Sequence, residues 1–458
     1  MQLGRTACVP PSLLVAVILS WLPGCEEQAE SPTDRLSMTG LVVLSPHGPR
    51  IRDAFADDFS IWYEEKTGRL VSIRWIHKGT VACQRYIYSG HRRDPRSGIG
   101  VDVFFGGGVA VHRDVAARGF AQPIELPESI VSAIPVELNG QPLRAADGTW
   151  YGSALSGFGI LCNRAACAAR GIPVPKTWSD LASPAYSGWM AAADPASSGS
   201  TVQCLVLILL KHGWENGWGV VMGILANCNG LLPSSAQIGP SVASGLAVVG
   251  LEPEFVAQMT VAADPESLEY VHPPPSDTAI TPDPITVLKG APNFEVARRF
   301  VEFVLSLEGQ RLWALPPEQG GPTSGPLYRY PIRPDAYERY GSELVVKGNP
   351  FTDEPSFRID PQAEAAYMNL LPHLLSAACG ENHLPLQQAW RSASGRAGDV
   401  RTLAALKRPP FDQEAALRYA AECAESPDRA RELEAEWSGQ LRQKYAAAIR
   451  STTATAGR

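Results

Sequence analysis

From residue 41 onward, apolar and polar positions switch between two periods. Leu41 to Ser45 is a short continuous apolar run, as a buried strand requires, and Pro46-His47-Gly48-Pro49 turns the chain. Ile51, Phe55, Phe59 and Trp62 then repeat along one helical face, and Gly68 stands where that helix must close. Leu70 to Ile76 alternates as a strand does, and Val101 to Phe105 predicts another, running into Gly106-Gly107-Gly108.

A second block begins near Trp150. Tyr151 to Cys162 is strand-like, Thr177 to Leu181 opens a short helix, and Trp189 to Ala193 predicts a strand leading into Asp194 to Thr201. The apolar stretch Val202 to Leu210 predicts a buried helix, and Leu246–Leu251 and Ile285–Leu288 predict further strands. Phe294, Ala297, Phe300, Val301 and Val304 mark a helix facing a core. Strands separated by helices predict mostly parallel α/β layers. Gly320 to Pro326 interrupts the pattern, and from about 361 to 450 the chain is helical. Leu433, Trp437, Leu441, Tyr445 and Ile449 form a stripe there, read as core packing, behind a Ser426-Pro427 helix start.

The first 25 residues stand apart. Arg5 precedes the apolar run Ser12 to Leu22, which is too short to span a bilayer and reads as an export signal. Leu22-Pro23-Gly24-Cys25 resembles a lipobox, so Cys25 is expected to carry lipid, with residues 26–38 as a polar tether. Seven cysteines remain, an odd number with no C-x-x-C spacing, and they read as buried small hydrophobes. Over all 458 residues, 45% apolar and 19% charged composition excludes a wholly disordered chain. A net charge of −7 with scattered basic residues gives no face for nucleic acid, and His91-Arg92-Arg93 reads as a solvated loop.

Candidate chemistry gathers at strand ends. Ser197-Ser198-Gly199-Ser200-Thr201 before a helix places free N–H groups and hydroxyls around one point, suiting either an anion site or simple N-capping. Ser45 to Gly48 and Gly106 to Gly108 make similar turns in the other block, and ligands of open α/β sheets bind beyond such carboxyl ends. His47 lies in one turn, Glu252 and Glu254 follow another strand, and Tyr151 opens the second block, where it lines a cleft or packs. No G-x-S-x-G, H-E-x-x-H or P-loop is present, so no catalytic residue is assigned.

Taken in order, Val42 to Gly48, Asp102 to Phe105, Trp150 to Gly152, Pro175 to Leu181, Asp194-Pro195, Ser198 to Ser200 and Lys289 to Asn293 resemble a known family. It is that of the extracellular solute-binding proteins of ferric-iron and related ABC importers. The resemblance covers residues 41–314 and implies a type II periplasmic-binding-protein fold, α/β with two lobes, a central cleft and here a helical C-terminal extension. Expected boundaries are 39–148 and 272–300 for lobe 1, 149–271 and 301–334 for lobe 2, and 335–458 for the extension. The chain would cross between lobes near 148–156 and 271–284. In ferric-iron members a histidine, a carboxylate and two tyrosines hold the metal. Here His47 matches, but Gly107 stands at the carboxylate position and Glu252-Pro253-Glu254-Phe255 replaces the tyrosines. The expectation is therefore a monomeric, lipid-anchored binding protein outside the cytoplasmic membrane, not an enzyme. It would hold an anionic solute at Ser45, His47, Gly48, Gly106, Gly107, Tyr151, Ser197 to Thr201 and Glu252, and deliver it to a permease and ATPase. The first alternative is a metal ion held by His47, Glu252 and Glu254. Others are a cleft enzyme and a scaffold docking through an exposed apolar patch on the tail.

Overall fold

The computed structural model describes residues 39–93, 98–355, 357–395 and 399–456. The expected export signal and Cys25 lie outside the described residues.

The chain opens with β1 (Thr39–Ser45), α1 (Pro49–Thr67), β2 (Val71–His77), α2 (Thr80–Arg93), β3 (Val103–Phe105) and α3 (Val109–Ala117). In α1, Ile51, Phe55, Phe59 and Trp62 are buried, and Gly68 closes the helix in the left-handed region, φ 69°, donating its N–H to Glu64 O. His91-Arg92-Arg93, expected in a solvated loop, is instead the last turn of α2. His91 is buried and its ring stacks on Phe120. Short α4 (Glu128–Val131) and the hairpin β4 (Glu137–Leu138) and β5 (Gln141–Pro142) follow.

Tyr151 to Cys162 reads as one strand but is two, β6 (Tyr151–Ser156) and β7 (Phe158–Asn163), in different sheets with Gly157 between. Next come α5 (Arg164–Arg170), β8 (Met190–Ala193), α6 (Gly199–Asn227), β9 (Cys228–Leu232), α7 (Ile238–Ala243), β10 (Val249–Pro253), α8 (Glu254–Ala263) and β11 (Leu268–Val271). The chain then returns through β12 (Thr281–Val287), α9 (Phe294–Leu305), α10 (Leu307–Ala314), β13 (Tyr330–Pro331) and α11 (Pro334–Tyr340).

Two sheets result, ordered β13-β6-β12-β3-β1-β2 and β11-β7-β10-β8-β9. Each centres on a parallel trio, β3-β1-β2 in lobe 1 and β10-β8-β9 in lobe 2, joined by an antiparallel strand, β12 or β7. The chain passes between lobes at Gly157 and again through residues 272–280. The expected boundaries need correction. β6 pairs with β12 and so belongs to lobe 1. Residues 301–334 also leave lobe 2, because Val301, Phe303, Leu312 and Trp313 bury against Phe55 and Phe59 in the lobe-1 core. α11 follows them, with Tyr337 in the same core.

The C-terminal helices are α12 (Pro361–Cys379), α13 (His383–Ser394), α14 (Val400–Lys407), α15 (Gln413–Glu425) and α16 (Pro427–Ala456). They complete the lobe-2 core: Trp214 and Trp218 of α6 pack with Tyr367, Leu371, Trp390 and Trp437 in one continuous cluster. α6 is therefore covered on both sides, and every residue from Cys204 to Leu209 is fully buried. Each such leucine is worth about 1.5–3 kcal/mol over an exposed one. Within α6, Gly213 breaks the helix at φ 77°, ψ 164°, a backbone state open to glycine alone. Leu433, Trp437, Leu441 and Tyr445 are at most 2% exposed, so the tail's stripe is core, and the scaffold reading loses the exposed patch it required. Among the described residues no helix is long and apolar enough to cross a membrane. The seven cysteines among the described residues are free and buried, with Cys162 and Cys167 Sγ atoms 3.7 Å apart.

Candidate functional site

Lobe 1 presents the turns that follow β1, β2 and β3. Ser45 Oγ donates to Phe105 O (2.7 Å) and accepts from His47 N (3.0 Å), tying the Ser45–Gly48 turn to the end of β3. The buried His47 ring meets Phe105 edge-on, and its Nε2 lies 2.8 Å from Asp283 Oδ2 on β12. Asp283 also accepts from Arg329 Nη1 and from the amides of Gly107 (2.8 Å) and Gly108 (3.3 Å). Those amides converge because Gly106, Gly107 and Gly108 all take positive φ, 88°, 108° and 82°. The guanidinium of Arg329 stacks over Phe255, 4.0 Å from its centroid.

Charge in this cluster follows from burial. Burial pushes His47 below the ordinary imidazole range despite Asp283, so at neutral pH the ring is uncharged. Its Nε2–H then donates to Asp283, leaving the Nδ1 lone pair buried without a partner. Burial alone would raise Asp283, but Arg329 and His47 outweigh it and hold the carboxyl well below the carboxylate range.

Lobe 2 presents the start of α6. Ser198 caps it: Oγ accepts from Thr201 N (3.3 Å) and lies 3.2 Å from both Ser200 Oγ and Thr201 Oγ1. Ser197 and Ser198 donate their N–H groups to Asp194 O, and Ser197 Oγ donates to Asp194 O and Pro233 O, 3.2 Å each. The amides of Gly199 and Ser200 have no hydrogen-bond partner among the described residues, as the first positions of a helix leave them.

The turns meet through a residue the sequence reading missed. Thr80 begins α2 after Lys78-Gly79 and is so close to Gly199 that a Cβ there would lie 2.8 Å from Thr80 Cβ. A Cβ on Gly79 would approach Ser197 O at 3.2 Å, and one on Gly107 would lie 3.3 Å from Thr80 Cγ2 and 3.6 Å from Pro46 Cγ. Pro46, Thr80 and Gly107 thus face Ser197 and Gly199 across a narrow cleft. The available signal was a third strand ending in a glycine turn. Gly48, with an extended backbone, caps α1 beside them.

Other expected residues do not join this group. Tyr151 is buried in lobe 1, where its hydroxyl donates to Ile124 O at 3.3 Å. Glu252 is fully buried in lobe 2; burial raises it well above the carboxylate range, and the Gly239 backbone approaches without closing a hydrogen bond to either oxygen. Glu254 sits at the crossover instead: its N–H donates to Gly157 O (2.9 Å) and Oε1 accepts from Tyr330 OH (2.9 Å), with His272 Nε2 at 3.6 Å. Burial raises it to about 7, against the hydrogen bonds from Tyr330 and the Gly157 backbone. The expected metal set is therefore corrected. Among the described residues no three His, Cys, Asp or Glu side chains form a metal site; His47 is committed to Asp283, while Glu252 lies within lobe 2. Asp283 and Arg329 were also missed, since only the fold brings them together across 46 residues.

Residues 100–317 match the profile of a family described as bacterial extracellular solute-binding protein. A curated relative, the phosphoglycerate transport regulatory protein PgtC of Salmonella typhimurium, is 33% identical over 171 residues, 37% of this chain and 42% of that protein. The chain thus matches about two fifths of that relative's length. The fold resembles the periplasmic binding protein AfuA from Actinobacillus pleuropneumoniae, described with fructose-6-phosphate bound: TM-score 0.56, 19% identity, 77% of this chain and 98% of that one. It equally resembles iron-bound HitA from Pseudomonas aeruginosa, with TM-score 0.56, 18% identity, and 74% and 99% covered. Residues 100–317 are thus similar in sequence to bacterial extracellular solute-binding proteins, and the chain shares the fold of periplasmic binding proteins.

Proposed function

We propose that this protein captures a small solute bearing a phosphate between its lobes, outside the cytoplasmic membrane, and passes it to the permease of an ATP-driven ABC importer. One observation carries the reading. The amides of Gly199 and Ser200 are unpartnered at the start of a long helix, ringed by the hydroxyls of Ser198, Ser200 and Thr201 and faced by Thr80 across the cleft. Free N–H groups at a helix start attract negative charge, and hydroxyls add directed contacts. The phosphoglycerate transport of one relative and the sugar phosphate of one structural neighbour agree with that chemistry. The role is binding rather than catalysis, carried out by a monomer, with an integral permease and an ATPase as partners.

Calorimetry with 2- and 3-phosphoglycerate, fructose-6-phosphate and inorganic phosphate, beside glycerate and ferric citrate, tests this. Phosphorylated solutes bind, and the double variant Ser198→Ala/Ser200→Ala weakens them at least tenfold. Heat only from ferric citrate would overturn the reading. We further propose that Cys25 bears the lipid anchor; mass spectrometry of the membrane-associated protein should find an acylated N-terminal Cys25, and an unmodified Met1 terminus would refute it.

A further inference from the structure

Glu364 of α12 is fully buried, yet it touches both lobes. Its Oε2 accepts from Gln141 Nε2 on β5 of lobe 1, and its Oε1 from Gln203 Nε2 on α6 of lobe 2, each at 2.8 Å. The C-terminal helices hold the two lobes in different ways. Against lobe 2 they share one continuous apolar core, with Tyr367, Leu371 and Trp390 packed among Trp214, Trp218 and Leu225. Against lobe 1 they share none: among the described residues, none beyond Phe351 enters either of its cores. Polar contacts are made there instead, by hydrogen bonds from Arg113 Nη1 to Pro361 O (3.1 Å), Arg118 Nη2 to Ala424 O (2.7 Å), Ile359 N to Asn139 O (3.3 Å) and Gln141 to Glu364, and by a solvent-exposed ion pair of Arg358 with Glu137 (3.7 Å). Beside them lies a cavity of about 1080 Å³ between α2, α3 and the C-terminal helices, reaching inward to Thr80 and Gly199.

We propose that α12 to α16 form a latch, an arm welded to lobe 2 that grips lobe 1 when the cleft is shut, with Glu364 as its catch. Apolar cores resist separation, whereas a few hydrogen bonds beside a cavity are surrendered when one body swings away from another. Lobe 2 and the arm therefore move together, and opening the cleft pulls Gln141 off Glu364 while Gln203 stays. Made only in the closed form, the contact raises the closed population before any solute arrives. Solute that requires closure then binds more tightly, because less of the closing cost remains. The meaning for affinity rests on the solute-binding reading; the arm's movement does not.

The test therefore uses no solute. Hydrogen exchange read by mass spectrometry on the full chain compares wild type with Gln141→Ala, which cuts only the bond to lobe 1, and with Glu364→Ala. Hydrogen bonds to a carboxylate of this kind shift a two-state equilibrium by roughly ten- to a hundredfold. Amides of residues 139–143, 197–201 and 357–364 should exchange about tenfold faster in Gln141→Ala, with those of 205–209 and 370–375 unchanged. Small-angle scattering should show a radius of gyration above that of wild type, itself near the roughly 22 Å of a compact chain this long. Unchanged exchange and radius in Gln141→Ala would overturn the latch, even if Glu364→Ala, which buries two unpaired amides, loosened the whole chain. If calorimetry finds no solute while Gln141→Ala opens the chain, the latch stands and the solute reading falls.

Discussion

Replacing Asp283 by asparagine keeps the side chain's shape and removes its charge, which isolates what that charge does. Four donors reach the carboxylate: the His47 ring, the Arg329 guanidinium and the amides of Gly107 and Gly108. An asparagine offers one acceptor oxygen and turns an NH2 toward groups that themselves donate. Arg329, whose side chain is 5% exposed, is left as a buried cation with no counter-charge. Breaking a buried pair from one side costs about 3–5 kcal/mol, and we expect Asp283→Asn to lose that much stability. Urea unfolding followed by far-ultraviolet circular dichroism measures it as a lower midpoint at constant slope. Adding Arg329→Met should restore at least half the loss, since the orphaned charge goes with it. The pH dependence supplies a separate check. Asp283 is held below its free value of 3.8, so its contribution is complete above that value and drains as pH falls through the depressed one. Asp283→Asn should flatten this acid limb. A loss under about 1 kcal/mol, or no rescue by Arg329→Met, would refute the view that this ion pair holds the lobe-1 rim.

Two further outcomes are expected. Glu254 rises from 4.5 to about 7 on folding, so the native state takes up a proton between those values, and stability falls as pH climbs from about 4.5 through 7. The total is roughly 3 kcal/mol, and Glu254→Gln, which still accepts from Tyr330, should remove it and stabilise the protein at pH 8; an unaltered difference between pH 5 and pH 8 melts would refute this. Gly199→Val puts branched carbon where Thr80 already stands, and it should weaken inorganic phosphate or phosphoglycerate binding at least tenfold with little change in melting temperature. Equal affinity would mean that the two turns do not close on the solute.

What the sequence made legible was periodicity. The apolar faces of α1 and α9 and the runs of β1 and β8 stand out because each buries one side against one layer or lies wholly inside it. α2 escaped because only Cys83, Ile87 and His91 are buried in it, one residue per turn, and one of them is a histidine. The crossover at Gly157 escaped for the opposite reason: β6 and β7 are buried throughout, so nothing in their pattern marks the change of sheet. Ser198 to Thr201 could be placed from local spacing, since a cap is made by neighbours along the chain. The Asp283–Arg329 and Glu364–Gln141 contacts could not, because each joins residues dozens or hundreds of positions apart whose types are individually ordinary.

α6 is enclosed between the lobe-2 sheet and helices that include the last element of the chain. During synthesis, one flank of that helix waits for more than two hundred further residues before Trp437 and Tyr445 arrive to cover the cluster it belongs to. Lobe 1 waits as well, since β12 and α9 must return to β1 and β3. Lobe 2 cannot close its core until Trp437 and Tyr445 have been made, whereas lobe 1 needs nothing beyond Phe351, and long-range closure of this kind folds slowly. A premature stop near residue 356 would leave Trp214, Trp218 and their leucine neighbours facing water, so a shortened chain is destined for aggregation or proteolysis rather than for a working half.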